Sequence, residues 1–168
     1  PVKSALCKIR KRISYLFIKN EFDKLIKQFD AHRPGFKDLY IYAVDGDEYE
    51  LPRSPELVDR GYKGRGAKSH GKTIETYMLR MFVVNIVDVI SGVPKNMMFS
   101  HKCNEISLAC QMIPQLEKNS LCLYDRLYLS KVLIETHKKA KNYFLCRCQR
   151  GNTFKELNGF FESNQRVK

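Results

Sequence analysis

Residues 39–46 read Leu-Tyr-Ile-Tyr-Ala-Val-Asp-Gly, and residues 120–125 read Ser-Leu-Cys-Leu-Tyr-Asp. Both stretches are short apolar runs that end in a carboxylate, Asp45 in the first and Asp125 in the second. A buried strand end is a costly place for an ionised carboxylate unless a cation or another partner neutralises its charge. The paired aspartates therefore predict a divalent-metal site, and phosphodiester chemistry is the first use to consider.

The charge balance indicates a polyanionic partner. The 168 residues carry 30 Lys and Arg against 18 Asp and Glu, which gives a formal net charge of +12. Such an excess favours salt-sensitive binding to nucleic acid, with an anionic membrane surface as the alternative. The longest apolar stretch, residues 81–90, contains Asn85 and Asp88 and is too short and too polar to span a bilayer.

Six cysteines are scattered along the chain, and none forms a Cys-x-x-Cys pair. Cys146 and Cys148 would share one face of a strand, a spacing that suits zinc poorly. We expect reduced thiols and hence a reducing compartment, most simply a cytoplasm. No secretory signal is visible, and the start at Pro1 without Met predicts a fragment or a trimmed chain.

The periodicity predicts helical structure near the N-terminus. Apolar residues recur at three- and four-residue steps between residues 4 and 29, with an interruption at Ser14-Tyr15. Basic side chains at positions 3, 8 and 10–12 give this segment a charged face. That face predicts either contact with a DNA backbone or an ordinary solvated helix surface.

Alternation and turn signals predict five strands, at residues 38–45, 76–90, 95–101, 120–125 and 142–148. The first three form an antiparallel run, and the last two join through helices, as parallel pairing requires. The fold class is therefore α/β, a mixed sheet with flanking helices. The ends of the first and fourth strands can lie side by side in such a sheet, so we expect Asp45 and Asp125 to converge.

Several local features refine this prediction. Asn104 and Ser130 are expected to begin the two flanking helices, and Pro114 to shorten the first of them. Asp88 is expected on a solvated face. Period-two alternation gives the first strand an inward set, predicted as Leu39, Ile41, Ala43 and Asp45.

Residues 59–72 are the least core-like segment, with four glycines and five basic side chains. The composition predicts a flexible cationic loop that either contacts nucleic acid or is merely mobile. It does not match the phosphate-binding loop pattern. Arg126, beside Asp125, either contacts a phosphate or braces the carboxylate. The residues assigned to nucleic-acid binding are Arg60, Lys63, Arg65, Lys68, Lys72 and Arg126, with Tyr62 among the loop contacts.

Four separated motifs resemble the DDE transposases of bacterial insertion sequences, whose core has the ribonuclease H-like fold. They are Ser4-Ala5-Leu6-x-Lys8-x-Arg10, Asp45-Gly46 followed by Leu51-Pro52, Asp125-Arg126-x-Tyr128, and Phe144-Leu145-x-Arg147. The resemblance covers most of residues 2–150, and any one motif alone would be weak. It implies an N-terminal helical segment at 1–35, a partial catalytic core at 36–150, and the start of an insertion or a truncated tail at 151–168.

The resemblance also implies a chemistry, the metal-dependent cleavage and strand transfer of transposon-end DNA. Two Asp and one Glu of the family hold two divalent ions, Mg²⁺ or Mn²⁺. Asp45 and Asp125 match the two aspartates as catalytic and metal-binding residues. The third carboxylate follows a Tyr-x-x-Arg spacing, which precedes neither Glu156 nor Glu162. We therefore expect an incomplete core that binds double-stranded DNA, with pairing as a homodimer on DNA, but is inactive alone.

Simpler roles exist for each acidic residue. Asp45 could cap the turn at Gly46, and Asp125 could pair with Arg126 or Arg147. Glu105 starts a predicted helix, where a capping or helix-dipole role is favoured, although ribonuclease H itself places a metal-binding Glu there. Three functions stay open: the transposase, a non-catalytic DNA-binding remnant of one, and a ribonuclease H-like nuclease that uses Asp45, Glu105 and Asp125.

Overall fold

The computed structural model describes residues 8–9, 12–30, 36–69, 72–102 and 104–148, with only the backbone described at 67–69 and 72–74. The chain divides into two compact units, residues 1–34 and 35–168. The domain bounds given above, and the assignment of residues 151–168 to an insertion or tail, stay predictions. No helix within the described ranges is long and apolar enough to cross a membrane.

In the first unit, helix α1 spans Tyr15–Asp30. The predicted interruption lies just before it, because Ser14 is not helical and its hydroxyl accepts a hydrogen bond from the Leu16 N–H at 3.2 Å. This contact satisfies one of the amide groups that a helix start leaves open. Two ion pairs lie on the exposed surface of α1, between Lys19 and Asp23 and between Glu21 and Lys24.

The second unit is built on a mixed sheet with six strands in the described part of the chain. The strands are β1 Tyr40–Leu51, β2 Gly64–Ser69, β3 Lys72–Asp88, β4 Pro94–Ser100, β5 Ser120–Tyr124 and β6 Tyr143–Cys146. Three helices accompany them, namely α2 Pro55–Asp59, α3 Glu105–Met112 and α4 Lys131–Ala140.

The strand order is β2-β3-β1-β5-β6, and β4 pairs with β3 beyond the end of β2. β1, β2 and β4 all run antiparallel to β3, whereas β1–β5 and β5–β6 are parallel. The parallel pairs are connected through helices, as such crossovers require. This arrangement confirms the predicted α/β mixed sheet of the ribonuclease H-like fold.

The prediction of a loop over residues 59–72 is wrong for residues 64–69, which form β2. Their glycines lower the strand propensity, but pairing with β3 supplies the backbone hydrogen bonds that the composition does not suggest. A shift in register between Gly64 and Gly66 marks a bulge. Helix α2, capped by the Ser54 hydroxyl, was also not predicted, although Pro55 at its first position was a usable signal.

The core lies between one face of the sheet and helices α3 and α4. Its buried side chains come from alternate positions of the three central strands and from the helices: Tyr42, Val44, Val84, Ile86, Cys122, Tyr124, Leu108, Ala109, Met112 and Leu133. The predicted inward set of β1 is therefore wrong by one residue. Alternation along a strand shows which residues share a face, but not which of the two faces is buried. The hydroxyl of Tyr42 made the face that is buried look like the polar one.

Local end signals agree with the structure for both flanking helices. The Asn104 side chain accepts from the Ser107 N–H at 3.2 Å at the start of α3, and Ser130 accepts from the Leu133 N–H at 3.3 Å at the start of α4. Pro114 lies in a 3₁₀ turn, Ile113–Gln115, directly after α3. These placements confirm the two predicted caps and the early end of α3.

The prediction of a solvated Asp88 is also wrong, because this residue is 3% exposed. Its Oδ1 accepts from the Ile90 N–H at 2.9 Å, the Ser91 N–H at 2.7 Å and the Ser91 hydroxyl at 3.0 Å. The carboxylate thus organises the β3–β4 turn. An Asp at the end of a strand commonly binds the backbone of the following turn, and that local role explains its burial.

Candidate active site

Asp45 and Asp125 lie on neighbouring strands. β1 and β5 are parallel, and their last paired residues are Val44 and Tyr124, so each aspartate is the next residue of its chain segment. Neighbouring strands lie about 4.7–4.9 Å apart. Both aspartates are exposed. The backbone therefore brings the two sequence-predicted carboxylates to neighbouring positions where β5 ends.

The predicted strand end at Asp45 is wrong, because β1 continues to Leu51 along β3 and pairs Asp45 with Asn85. The opening beside Asp45 arises from the other strand. β5 stops at Tyr124, and Asp125 begins a 3₁₀ turn, Arg126–Tyr128. The carboxylate of Asp45 thus lies where its parallel neighbour leaves the sheet.

The hydrogen bonds of both aspartates are local. Asp45 Oδ1 accepts from the Gly46 N–H at 2.9 Å, and Asp125 Oδ1 accepts from the Arg126 N–H at 2.6 Å. Among the described residues neither carboxylate forms an ion pair, so the alternative pairing of Asp125 with Arg126 or Arg147 is not observed there. Each carboxylate retains an oxygen for another ligand, while the turn contact at Gly46 is compatible with the simpler role of Asp45.

Glu105 approaches the same place from the start of α3. Tyr42, Val44 and Gly46 follow one another at alternate positions of β1, and the first two point to the helix-covered face. A Cβ built on Gly46 would lie 2.5 Å from Cδ and 2.8 Å from Oε1 of Glu105. The Glu105 side chain therefore occupies the space that any larger residue at position 46 would need. The helix itself is capped by Asn104 and not by Glu105.

Tyr128 is a buried residue that interacts electrostatically with Glu105, Asp45 and Asp125. Its side chain is 2% exposed, and no atom of the described residues satisfies its hydroxyl with full hydrogen-bond geometry. Burial raises the pKa of this hydroxyl, and interactions with Glu105, Asp45 and Asp125 raise it further. The hydroxyl consequently stays protonated and lies within the field of all three acidic groups.

The carboxylate oxygens at this place are of the type that binds a hard divalent cation. Carboxylate oxygens are the ligands that Mg²⁺ and Mn²⁺ prefer, and three acidic groups influence one buried hydroxyl here. Over the described ranges, no group of three or more His, Cys, Asp or Glu side chains is already closed into a ligand set. Asp45 and Asp125 stay the predicted ligands of such an ion, and Glu105 is a further acidic group that influences the same hydroxyl.

Cys146 joins the end of β6 to the same turn. Its thiol donates to the Asp125 carbonyl oxygen at 3.2 Å, and burial, Cys148 and Asp125 raise its pKa. The cysteines at 110, 122, 146 and 148 are free, as predicted for reduced thiols. Cys7 and Cys103 lie outside the described residues.

The basic residues assigned to nucleic-acid binding fall into two places. Arg126 is exposed directly beside Asp125. The other five lie between the end of α2 and the β2–β3 hairpin, in which Lys68 pairs with Thr73 and Ser69 with Lys72. Arg60 and Lys63 are exposed. Much of the expected loop is therefore part of a two-stranded β-hairpin, formed by β2 and the start of β3, which we call the basic ribbon.

Acidic partners offset part of the charge on this ribbon. The Arg65 side chain is 69% exposed and lies 3.4 Å from Glu48, which also binds Arg80 at 3.2 Å. Exposed ion pairs of this kind contribute little to stability and leave the arginine able to exchange partners. Tyr62 packs its ring against His101, with 5.6 Å between centroids. Its assignment as a nucleic-acid contact stays a prediction.

Sequence reasoning missed two features of the site. Tyr128 is part of the motif Asp125-Arg126-x-Tyr128 but received no role, and no sequence signal shows that its ring turns inward. The second is His137, which is 1% exposed and whose Nε2 lies 2.9 Å from the Tyr124 hydroxyl; no local pattern in the sequence indicates this contact. This pair supports the strand that carries Asp125 from within the core.

Two glycine substitutions test the close approach of Glu105. A Cβ at Gly64 would lie 2.2 Å from the Thr76 backbone oxygen, so Gly64→Ala is expected to lower the free energy of unfolding by about 1–3 kcal/mol. At Gly46 the obstacle is the end of a flexible side chain, so Gly46→Ala should cost less than about 1 kcal/mol. Urea unfolding measures both free energies, and a Gly46 loss as large as the Gly64 loss would contradict a movable Glu105.

Two comparisons with known proteins bear on this site. The family described as "Transposase DDE domain" matches residues 37–167, a span that contains every sheet strand described above. The chain is also 27% identical over 138 residues to the protein named "Putative transposase InsZ" of Escherichia coli (strain K12). That similarity covers 80% of this chain and 45% of the relative, so the chain spans less than half of its length.

Proposed function

This chain belongs to the transposase DDE domain family, and we propose that its Asp45 and Asp125 hold the divalent cations for cleavage and strand transfer of transposon-end DNA. The observation that carries the proposal is the parallel β1–β5 register, which sets the two aspartates side by side where β5 ends. Mg²⁺ or Mn²⁺ bound there would activate the attacking hydroxyl and stabilise the leaving oxygen during in-line displacement.

The protein itself would position the two metal-binding carboxylates and neutralise the charge of the bound DNA phosphate. Asp45 is fixed in a continuous strand, and Asp125 is fixed by the turn that it caps. Arg126 is exposed beside the carboxylates, where its guanidinium can bind a backbone phosphate of the DNA. The proposal assigns only two acidic ligands of the family, because no Tyr-x-x-Arg spacing precedes Glu156 or Glu162 in the sequence. Efficient cleavage by residues 1–168 alone is therefore not expected.

The basic ribbon is proposed as the principal DNA contact. A two-stranded β-ribbon fits the width of a B-DNA major groove, and the hairpin of β2 and β3 carries Arg65, Lys68 and Lys72, with Arg60 and Lys63 at its base. Such contacts give affinity that falls with salt. Pairing as a homodimer on DNA and a location in the bacterial cytoplasm stay predictions.

One experiment separates the metal-dependent transposase core from a non-catalytic DNA-binding remnant. Mn²⁺ at 100 times its dissociation constant should stabilise the unaltered chain by about 2.7 kcal/mol, and Asp45→Asn should remove most of that gain. Asp47→Asn is the matched control, because Asp47 is exposed and its carboxylate accepts a local hydrogen bond from the Glu48 N–H. A metal-titrated thermal melt measures all three chains. Absence of any metal-linked gain in the unaltered chain favours the remnant.

A ribonuclease H-like nuclease is the second candidate, favoured by the approach of Glu105 to Gly46. It predicts that residues 1–168 cleave a structured or hybrid nucleic acid with Asp45, Glu105 and Asp125 as ligands. Loss of such cleavage in Glu105→Gln, with the metal-free melting temperature unchanged, would place this candidate first. Absence of cleavage by the unaltered chain would remove it.

A further inference from the structure

Tyr128 is placed by the turn that ends β5. Its backbone N–H donates to the Asp125 carbonyl oxygen at 3.1 Å, which closes the 3₁₀ turn begun by the Asp125 cap. The closed turn directs the ring into the core, where it packs against Tyr124 with 5.3 Å between ring centroids. The position of the Tyr128 side chain is thus fixed by the same turn that presents Asp125.

The hydroxyl of Tyr128 has an incomplete environment. A buried hydroxyl without a partner costs free energy, and this one has no fully formed hydrogen bond to the described residues. The acidic groups that influence it are Glu105 at the start of α3, Asp45 within β1 and Asp125 directly after β5. A protonated phenol among carboxylates can act only as a donor to one of them.

We propose that Tyr128 is a positioning residue whose hydroxyl donates to the Glu105 carboxylate and holds it beside Asp45 and Asp125. Gly46 provides the space that the Glu105 side chain occupies, because position 46 has no Cβ, which would lie 2.5 Å from Glu105 Cδ. A divalent cation then meets three acidic groups of which one is oriented by a neutral donor. The inference rests on the proposed metal site and adds to it a residue that touches no metal.

Tyr124 provides a matched control for this assignment. It is buried to a similar degree, at 6% exposed, and contacts Tyr128, but its hydroxyl bonds His137 instead of the carboxylates. Tyr128→Phe and Tyr124→Phe therefore each remove one buried hydroxyl from the same part of the core. Only the first should alter cation binding.

The test is a Mn²⁺ binding isotherm for the 168-residue chain, recorded by calorimetry or from the spin-resonance signal of free Mn²⁺. Tyr128→Phe is expected to weaken Mn²⁺ binding about 10-fold or more, and Tyr124→Phe less than about 2-fold. Equal affinities for Tyr128→Phe and the unaltered chain overturn the assignment of Tyr128 alone. A chain that binds no Mn²⁺ overturns the proposed metal site together with it.

A double-substitution cycle distinguishes positioning from general structural support. If Tyr128 acts through Glu105, then adding Tyr128→Phe to Glu105→Gln should weaken Mn²⁺ binding no further than Glu105→Gln alone. Additive losses, or an equal loss in Tyr124→Phe, overturn the proposal. Metal-free melts establish that each variant is folded, and should Tyr128→Phe not fold, an unchanged Mn²⁺ affinity in Glu105→Gln overturns it instead.

Discussion

Glu117→Ala is expected to lower the free energy of unfolding by about 2–3 kcal/mol, somewhat less than the loss of one partner in a fully buried pair. Glu117 precedes β5 and bonds two elements of the sheet: its Oε2 accepts from the Tyr42 hydroxyl at 2.5 Å, and its Oε1 lies 2.5 Å from Lys95 Nζ. Tyr42 is fully buried, and the Lys95 side chain is 14% exposed. Alanine would leave both donors poorly solvated.

The balance of charges at Glu117 supports this expectation. Burial alone would raise its pKa, but the bonds from Lys95 and Tyr42 outweigh burial and lower it. Urea unfolding at neutral pH measures the loss. Asp23→Ala is the exposed counterpart, because it removes the Lys19–Asp23 pair at 2.7 Å and should cost less than about 0.5 kcal/mol. Similar losses in the two variants would show that the Glu117 contacts are weak.

Acidification from pH 7 to pH 4 is expected to remove about 3 kcal/mol of stability through His137 alone. Burial lowers the pKa of His137 to about 4 from its ordinary 6.5, so the folded protein keeps this imidazole neutral while the unfolded chain takes up a proton. The contribution is fully present above pH 6.5 and is lost as pH falls toward the folded pKa. Unfolding free energies measured at intervals between pH 7 and pH 4 test it.

His137→Gln is the control for the pH dependence. The glutamine side chain can keep a polar contact with Tyr124. The variant should be less stable at neutral pH, and its free energy of unfolding should no longer fall between pH 6.5 and 4.5. Below pH 4.5 Glu117 adds its own loss, because its folded pKa is depressed and its stabilising bonds disappear as it protonates. An unchanged slope above pH 4.5 in His137→Gln would assign the effect to other groups.

Much of the fold followed from local pattern. Apolar runs bounded by turn residues located β1, β3, β4, β5 and β6, and single capping residues located the starts of α3 and α4. These features depend on neighbouring residues only, which is why the sequence suffices for them. β2 is different, because its glycines form a strand only through pairing with β3. The long extension of β1 past Asp45 depends on the same partner.

The site shows the same division. Asp45 and Asp125 are recognisable because each ends an apolar run, and their adjacency follows from the parallel crossover. The approach of Glu105 to Gly46 and the inward turn of Tyr128 depend on how α3 lies over the sheet, which no local pattern specifies. The face of β1 was assigned wrongly for a related reason, since Tyr42 is buried through a hydroxyl partner, Glu117, that lies 75 residues away.

The pairing of β1 with β5 also determines when, during synthesis, Asp45 and Asp125 can come together. Asp45 and Asp125 are separated by 80 residues of chain, so at typical synthesis rates of roughly 5–20 residues per second the ribosome delivers the second carboxylate about 4–16 s after the first. The nascent polypeptide can pair β3 with β1 and β4 with β3 during that interval. Until β5 emerges and pairs with β1, the two aspartates of the proposed metal site do not lie side by side.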